Sequence, residues 1–404
     1  MKRILYLHQY FCFPDEPGGT RSYDLATSFV KQGLKVTVIT SSSDEKYKKG
    51  KRWTKVERDG LELHYIYLPY SNKFSNIKRI GVFLRFVWLS TLKLLSLKGD
   101  FVLATSTPLT IGLPALFKKW LHRTPFVFEV RDVWPEAVIA IGAIKNKIVQ
   151  KGLYLLERII YKNATAIVPL SVDMQSSIVT RYPKEKEKTE IVIENIAEVS
   201  RFNRAREFVD LEATIGFKPR FSVLYAGTFG RVNGVDYVVD LAKYTLTLDP
   251  TLVYLLMGDG ALKESVVAKT REFGVLDRNV FFLPVVSKDQ LPLWYRSVSM
   301  GSSFVIEIKE LWANSANKFF DTLAAKKPML INYEGWQADV IRDENIGYVL
   351  PPVLCENDAI NFVEYTKRNE LITEQGGRAY EMAVNRYSLE RAIEKYLNVF
   401  NQIK

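Results

Sequence analysis

Three charged residues follow an apolar segment in the first third of the chain, and their types suit acid–base chemistry. Residues 125–130 read PFVFEV, and the chain continues with RDVWPE. A carboxylate can take a proton from a hydroxyl group if it reaches that group and its pKa suits the working pH. Asp132 and Glu136, with Arg131 beside them, are therefore catalytic candidates. The alternative is a structural ion pair between Arg131 and Asp132 at the end of a strand.

Glycines that follow apolar segments in the second half suit the binding of a phosphate group. A glycine lets the backbone approach a ligand closely, and a helix N-terminus that follows it favours anions. Two segments, YAGTFGRVNG (residues 225–234) and MGDG (residues 257–260), have this form. Their candidate residues are Gly227, Thr228, Arg231, Asn233, Gly258, Asp259 and Gly260.

A lysine near the start of a predicted helix is a further candidate for binding phosphate. The sequence NSANKFFDTLAAKKP offers Asn314 or Ser315 as the N-cap and places Asn317, Lys318 and Asp321 in the first turns. Amide donors, the helix dipole and the ammonium group would all favour a diphosphate there. The alternative is a surface pair between Lys318 and Asp321, three residues apart.

A glycine pair, Gly18 and Gly19, separates the first predicted strand from the first predicted helix. The pair could line a ligand site, although such a pair more often forms a simple turn. The G-x-G-x-x-G spacing of dinucleotide-binding loops is absent, so a nicotinamide or flavin cofactor is not indicated.

The elements that position these residues alternate between strand and helix. Continuous apolar strands separated by helical patterns predict parallel sheets covered on both faces. In the first half the strand candidates include RILYLHQYF, KVTVIT, LELHYIYLP, DFVLATST, PFVFEV, ATAIVPLS and TEIVIENI, and the second half repeats the pattern from FSVLYAGTFG onwards. Residues 201–220 are polar and irregular. We therefore expect an α/β protein with two Rossmann-like domains, residues 1–200 and 201–404, that face a cleft. In such sheets ligands bind outside the carboxyl ends of the strands.

Length, cysteine content and charge limit the classes of protein that remain. A chain of 404 residues with two cysteines suits two domains in a reducing compartment. We predict neither a signal peptide nor a membrane-spanning segment, and hence a cytoplasmic protein or one attached to a membrane from that side. Residues 1–200 hold 31 lysines and arginines against 19 acidic residues, so the basic excess of the whole chain lies there. That asymmetry indicates an anionic partner, such as a membrane surface, a phosphorylated lipid or nucleic acid.

Residues 74–99 stand apart because they contain five basic residues and no acidic one. The helical pattern places Lys78, Arg79, Arg85 and Lys93 on one stripe of a largely apolar helix. Such a helix can lie in a membrane interface with its cations near lipid phosphates. The alternative is an ordinary helix that covers the sheet and has a basic exposed stripe.

Taken in order, these motifs resemble the retaining GT-B glycosyltransferases of glycosyltransferase family 4 over nearly the whole chain. The similar segments include GGTRSYDLATSFVKQGLKVTVIT, YAGTFGRVNGVDYVVDLAK, LLMGDGALKE and NSANKFFDTLAAKKPMLINYEGWQADVI. Together with FEVRDVWPE, the last of these resembles a narrower branch, the bacterial L-fucosaminyltransferases of capsule and O-antigen synthesis.

The resemblance implies roles for individual residues. The first domain would bind the acceptor, with Gly18 and Gly19 on its side, and the second would bind the donor. Asp321 occupies the position of an acidic residue that in the family holds the ribose, whereas the position of its usual partner acid falls on Ala313. In this sequence Thr228 and Asn233 occupy the positions of the arginine and lysine that commonly bind donor phosphates in the family. The resemblance therefore implies that Arg231 and Lys318 bind the phosphates instead.

The resemblance also implies an activity and its partners. We expect a retaining enzyme that needs neither metal nor cofactor and that carries a sugar from a nucleotide sugar to a lipid-linked saccharide. The donor would be a UDP-linked N-acetylated hexosamine or deoxyhexosamine such as N-acetylfucosamine. We expect no nucleic-acid partner, a peripheral location on the inner face of the membrane, and a last helix that packs back on the first domain. The alternatives are a Rossmann-type oxidoreductase and a non-enzymatic basic protein that binds membrane or nucleic acid.

Overall fold

Two compact units make up the chain in the computed structural model. The first contains Met1–Phe13, Gly19–Glu194 and Ala392–Lys404, and the second contains Pro14–Gly18 and Asn195–Arg391. The structure describes residues 2–16, 18–48, 52–69, 74, 76–106 and 108–403, and of residues 76, 77 and 79 it describes the backbone alone. The predicted role of the Arg79 side chain therefore lies outside the described part.

A seven-stranded sheet forms the centre of the first unit, in the order β3-β4-β2-β1-β5-β6-β7. All neighbouring strands are parallel except β3 and β4, which are antiparallel. The strands are β1 (Arg3–Leu7), β2 (Lys35–Ser42), β3 (Thr54–Arg58), β4 (Leu61–Tyr67), β5 (Phe101–Thr105), β6 (Phe126–Val130) and β7 (Ala166–Pro169).

Helices cover both faces of this sheet. They are α1 (Arg21–Lys31), α2 (Asn76–Ser96), α3 (Gly112–His122), α4 (Glu136–Ala140), α5 (Lys147–Asn163) and α6 (Val172–Arg181). One apolar core combines Phe86 of α2, Leu116 of α3 and Ile160 of α5 with the sheet residues Leu5 and Phe128. Since successive strand residues point to opposite faces, these three helices share one face.

The opposite face of the first sheet is covered by α1 together with the last helix of the chain. That helix is α16 (Leu389–Asn401). The ring of Phe400 lies 5.1 Å from that of Phe29 and 4.7 Å from that of Phe101, centre to centre. Aromatic contacts of this kind place the end of the chain in the core of the first unit.

The second unit contains a six-stranded parallel sheet in the order β10-β9-β8-β11-β12-β13. The strands are β8 (Phe221–Ala226), β9 (Leu252–Met257), β10 (Val280–Leu283), β11 (Met300–Ser303), β12 (Met329–Ile331) and β13 (Gly347–Val349). Its helices are α7 (Val199–Arg204), α8 (Leu211–Ile215), α9 (Val235–Leu248), α10 (Lys263–Glu272), α11 (Leu291–Ser297), α12 (Asn317–Ala324), α13 (Trp336–Asp343), α14 (Glu356–Thr366) and α15 (Asn369–Asn385). Apolar cores lie on both faces, as buried parallel strands require.

Two local predictions were wrong. The segment TEIVIENI forms no strand, because side chains take up its carbonyl groups: Arg21 donates to the carbonyl of Ile193 at 3.0 Å and Lys395 to that of Val192 at 2.9 Å. Residues 201–220, predicted to be irregular, contain α8 and the end of α7.

Candidate active site

The carboxyl edge of the second sheet carries the predicted donor residues. The strand order changes direction between β8 and β11, and ligands of open α/β sheets bind at such a point. The loop after β8 is held to the loop after β9 by two hydrogen bonds: the Gly227 amide donates to Met257 and the Phe229 amide to Asp259, each at 2.9 Å. The two glycine segments predicted from the sequence therefore form one surface.

Glycine is required in the loop after β9, where backbone atoms leave no room for a side chain, whereas at Gly227 the Lys318 side chain occupies the space. A Cβ atom on Gly227 would lie 2.3 Å from Cε of Lys318, and one on Gly258 would lie 1.8 Å from the Gly227 carbonyl oxygen. A Cβ on Gly260 would lie 2.6 Å from the carbonyl oxygen of Phe229. The close approach brings the Lys318 side chain directly over the backbone of the first loop.

Lys318 is the cation at the centre of this surface. It is the second residue of α12, and its ammonium lies 4.9 Å from the centre of the Tyr225 ring. Burial lowers the pKa of Lys318 from 10.5 to about 8, opposed by the nearby charge of Asp321. A lysine with this pKa keeps its charge at neutral pH. An anionic ligand would stabilise the charged form, because it replaces the hydration that burial removes.

The N-terminus of α12 is left uncapped by side chains, which corrects the prediction of Asn314 or Ser315 as N-cap. The N-cap is Ala316, and within the described part of the chain the first turn has no side-chain cap. The hydroxyl of Ser315 instead accepts the amide of Asn195 at 3.1 Å, and the side chain of Asn314 donates to the Leu311 carbonyl at 2.8 Å. The first amides of the helix, beginning at Asn317, are thus available to an anion.

Asp321 lies one turn after Lys318, but its carboxylate pairs with a different lysine. Lys288 donates to both carboxylate oxygens at 2.5 Å, and both side chains are buried. Lys288 was not predicted from the sequence, since its 33-residue separation from Asp321 gives no local signal. The pair places a second cation beside Lys318 at the same sheet edge.

The other predicted donor residues occupy more open positions around this centre. Thr228, Arg231 and Asp259 are exposed, and Asn233 is half-buried. The amide oxygen of Asn233 faces Gly230, where a Cβ would lie 2.7 Å from it. For Arg231 the structure gives no ion-pair partner within the described ranges, so its guanidinium remains able to reach a ligand.

The first sheet brings together three residues at its own carboxyl edge. The Arg131 amide donates to the Ser106 hydroxyl at 2.9 Å, and the Arg131 guanidinium lies 3.5 Å from Nε2 of His8. These residues follow β6, β5 and β1, which are neighbours in the sheet. The sequence analysis missed His8 and Ser106, although both directly follow buried parallel strands.

His8 is held neutral by its surroundings. Burial, and then the positive charge of Arg131, lower the pKa of His8 well below its usual value. Its Nδ1 atom is buried and has no hydrogen-bond partner among the described atoms. A neutral imidazole with one unsatisfied nitrogen is a candidate contact for a polar ligand.

Asp132 and Glu136, the two candidate bases, have different surroundings. Asp132 is half-buried in the turn after β6, where its carbonyl accepts the Trp134 amide at 2.9 Å. Glu136 begins α4, accepts the Ser177 hydroxyl at 3.0 Å and lies 3.2 Å from the Arg181 guanidinium. The geometry therefore ties the Glu136 carboxylate to α6 through two charge-assisted contacts.

The glycine pair near the N-terminus is exposed, and a buried ion pair follows it. Gly18 clusters with the second unit and Gly19 with the first. Arg21, the first residue of α1, lies 3.5 Å from the fully buried carboxylate of Glu129, which also accepts the Tyr396 hydroxyl. The start of α1 therefore holds a structural charge cluster that the sequence analysis did not predict.

Among the described residues, no group of three or more histidine, cysteine, aspartate or glutamate side chains could hold a metal ion. No helix in this part of the chain is long and apolar enough to cross a membrane.

Comparison with known proteins identifies relatives of the first unit and of the whole fold. Residues 18–192 match the Glycosyl transferase 4-like domain. The whole chain also superposes on Alr3699/HepE from Anabaena, solved in complex with UDP and glucose, with a TM-score of 0.71 and 14% identity over 99% of this chain and 100% of the other. The chain has the fold of the GT-B glycosyltransferases.

Two relatives of the chain are named for an activity. A poly(ribitol-phosphate) alpha-N-acetylglucosaminyltransferase of Staphylococcus aureus is 22% identical over 52% of this chain and 40% of its own length. The probable glycosyltransferase WbjE of Pseudomonas aeruginosa is 26% identical over 70% of this chain and 71% of its own length. The chain thus spans less than half of the first of these relatives.

Proposed function

We propose that this protein transfers a sugar from a nucleotide sugar to a saccharide acceptor in the synthesis of a cell-surface polysaccharide. The observation that carries the proposal is the cationic edge of the second unit, where Lys318 lies over Gly227 at an uncapped helix start. That combination suits a diphosphate because backbone amides, the helix dipole and an ammonium act together. The UDP complex of the Anabaena neighbour and the names of the two relatives support it.

The proposed donor is a UDP-linked N-acetylated hexosamine or deoxyhexosamine, such as N-acetylfucosamine. The named substrate group of the S. aureus relative supports an N-acetylated sugar. Asp321 would accept the ribose hydroxyl groups, in exchange for its present bond to Lys288. In that exchange the Lys288 ammonium is released towards the diphosphate beside Lys318.

The proposed chemistry breaks the bond between the anomeric carbon and the diphosphate oxygen and forms a bond from that carbon to the acceptor oxygen. Lys318 and Arg231 stabilise the negative charge on the departing diphosphate, which is electrostatic catalysis by groups already in place. Departure and attack on one face of the sugar would retain the anomeric configuration. The protein cations supply the charge that this step needs, so we propose that no cofactor takes part.

We assign to Asp132 the role of orienting the acceptor hydroxyl group and taking its proton. For Glu136 we propose a structural role, because its carboxylate binds Ser177 and Arg181 of α6. His8 and Ser106 lie at the same sheet edge as Arg131 and could contact the acceptor saccharide.

The acceptor in this proposal is a lipid-linked saccharide, reached from the cytoplasmic face of a membrane. The basic excess of residues 1–200 supports an anionic membrane as partner. Nucleic acid is not part of the proposal.

The test is a transfer assay with a panel of UDP-sugars and a lipid-linked monosaccharide, in which both released UDP and the extended lipid are measured. We expect UDP release that depends on the acceptor for one N-acetylated donor. Binding of a nicotinamide dinucleotide with no response to UDP would instead favour the oxidoreductase alternative. Binding of neither would favour a non-enzymatic basic protein.

A further inference from the structure

An exposed apolar stripe runs along α2. Ile80, Leu84, Trp88 and Leu92 are spaced by four residues, and their exposed fractions are 55%, 57%, 65% and 43%. Residues four apart lie on one face of a helix. The opposite side of α2 packs on the sheet through Phe86, which is buried. The helix α2 therefore covers the sheet with one side and exposes these apolar side chains on the other, together with Lys78 and Arg85 of the predicted basic stripe.

The apolar surface continues onto the neighbouring helix, α3. Lys118 of α3 donates to the carbonyl of Leu97, just after α2, at 2.7 Å, so the two helices are fixed side by side. Phe117, Trp120 and Leu121 of α3 are exposed, the last at 65%. The Phe117 and Trp120 rings pack edge to face, 5.9 Å apart, and so form one aromatic cluster.

The next helix, α5, extends the same face. A Cβ on Gly112 of α3 would lie 2.5 Å from Ile160 of α5, and the Trp120 indole donates to the Asn163 side chain at 3.3 Å. Ile148 and Leu155 of α5 are exposed as well. The outward sides of α2, α3 and α5 together therefore form a continuous apolar surface, here called the three-helix surface.

Charge identifies the occupant of the three-helix surface. Neither α2 nor α3 contains an acidic residue, and the single one in α5, Glu157, is buried and bonded to Arg181. The exposed cations of these helices and of the residues that border them are Lys78, Arg85, Arg123, Lys145, Lys147, Lys151, Arg158 and Lys162. Exposed apolar side chains with tryptophans, and cations on the same helices, fit an anionic lipid bilayer, where indole rings lie at the headgroup level and ammonium groups meet phosphates.

We propose that the three-helix surface docks this protein on an anionic lipid bilayer. This inference rests on the proposed function in one respect: docking would bring the acceptor edge of the first sheet to a lipid-linked substrate. Docking itself needs neither nucleotide nor acceptor, so the two proposals can fail separately.

The test is co-sedimentation of the full-length protein with vesicles of equal parts phosphatidylglycerol and phosphatidylcholine, compared with phosphatidylcholine alone. We expect binding to the anionic vesicles, and weaker binding as salt is raised. The variant Leu84→Ser/Trp88→Ser should bind about tenfold or more weakly, because burial of apolar side chains in the interface is lost. Its matched control is Phe208→Ser/Leu248→Ser, an exposed aromatic and leucine of the second unit.

Two further variants test the extent of the surface and the role of charge. Trp120→Ser/Leu121→Ser should weaken vesicle binding like the α2 variant. Arg85→Gln/Lys151→Gln should weaken it by about fivefold per charge, whereas Lys243→Gln on the second unit should not. Because the replaced side chains are exposed, each variant should fold, and circular dichroism melts check this.

Four outcomes would overturn the proposal. One is wild-type protein that fails to bind anionic vesicles, and another is a Leu84→Ser/Trp88→Ser variant that binds as well as its control. The third is a dimer in sedimentation velocity that this variant loses, since a second copy of the chain would then cover the surface. Normal binding by Trp120→Ser/Leu121→Ser would refute the three-helix form.

Discussion

The ammonium of Lys288 lies 2.5 Å from both carboxylate oxygens of Asp321. This buried pair stands next to Lys318 and therefore links the stability of the second unit to its proposed donor site. Taking two charges out of water is costly, and removing one partner leaves the other without compensation.

The variant Asp321→Leu should lower the free energy of unfolding by about 3–5 kcal/mol, because it leaves the Lys288 ammonium buried and unpaired. The double variant Lys288→Met/Asp321→Leu should recover most of that loss and still bind UDP poorly. Denaturant unfolding and calorimetric UDP titration measure the two effects. A double variant with normal UDP affinity would show that Asp321 does not contact the nucleotide.

The affinity for UDP should fall as the pH rises through about 8, where Lys318 loses its proton. Loss of a charge-assisted contact of about 1.5–3 kcal/mol corresponds to about a 10- to 100-fold weaker complex. Stability responds in the opposite direction. Between pH 8 and 10.5 the unfolded chain binds more protons at this group, so its contribution favours the folded state increasingly as pH rises. A UDP affinity that is flat from pH 7 to about 9.5 would contradict the role of the Lys318 charge.

The two candidate bases should separate in a pair of isosteric variants. Asp132→Asn should reduce turnover by about 10²–10⁴-fold with unchanged UDP affinity, as expected for the loss of a base. Glu136→Gln should keep turnover within a few-fold but lower the free energy of unfolding by about 1–3 kcal/mol, because its contact with Arg181 is weakened. Transfer rates and denaturant unfolding are the measurements. The reverse pattern would move the acceptor role to Glu136.

The buried cluster behind the acceptor edge should matter for stability. Glu129→Gln should lower the free energy of unfolding by about 3–5 kcal/mol, because Arg21 keeps its charge in a buried position. The exposed pair of Glu334 and Arg342 provides the control, and Glu334→Gln should cost less than about 1 kcal/mol. Equal losses in the two variants would show that burial does not decide the effect.

Most of the strands were predictable because buried parallel strands are continuous apolar segments. Two edge strands were not predicted. The pattern of β3 (Thr54–Arg58) is polar and does not differ from that of a loop, and β13 (Gly347–Val349) is only three residues long. The segment TEIVIENI shows the opposite error, because a strand was predicted there and none forms. Its residues have strand propensity, but cations from α1 and α16 bind its carbonyl groups, and only the folded chain brings those cations there.

The candidate site was predictable where it depends on residues close in sequence. The glycine loops and the position of Lys318 in α12 follow from local patterns. Lys288 and His8 were missed because their partners, Asp321 and Arg131, are distant in sequence and meet them only at the sheet edges. The N-cap of α12 was wrong because Asn195 competes for Ser315, which is also a tertiary effect.

The central claim is that the second unit binds a nucleoside diphosphate through Lys318. The most direct measurement is calorimetric titration of UDP into the wild-type protein, the Lys318→Met variant and the Lys243→Met variant, the last being an exposed lysine of α9. The account predicts binding by the wild type, about tenfold or greater loss in Lys318→Met, and wild-type affinity in Lys243→Met. UDP affinity that is the same in all three proteins, or absent from the wild type, would contradict it.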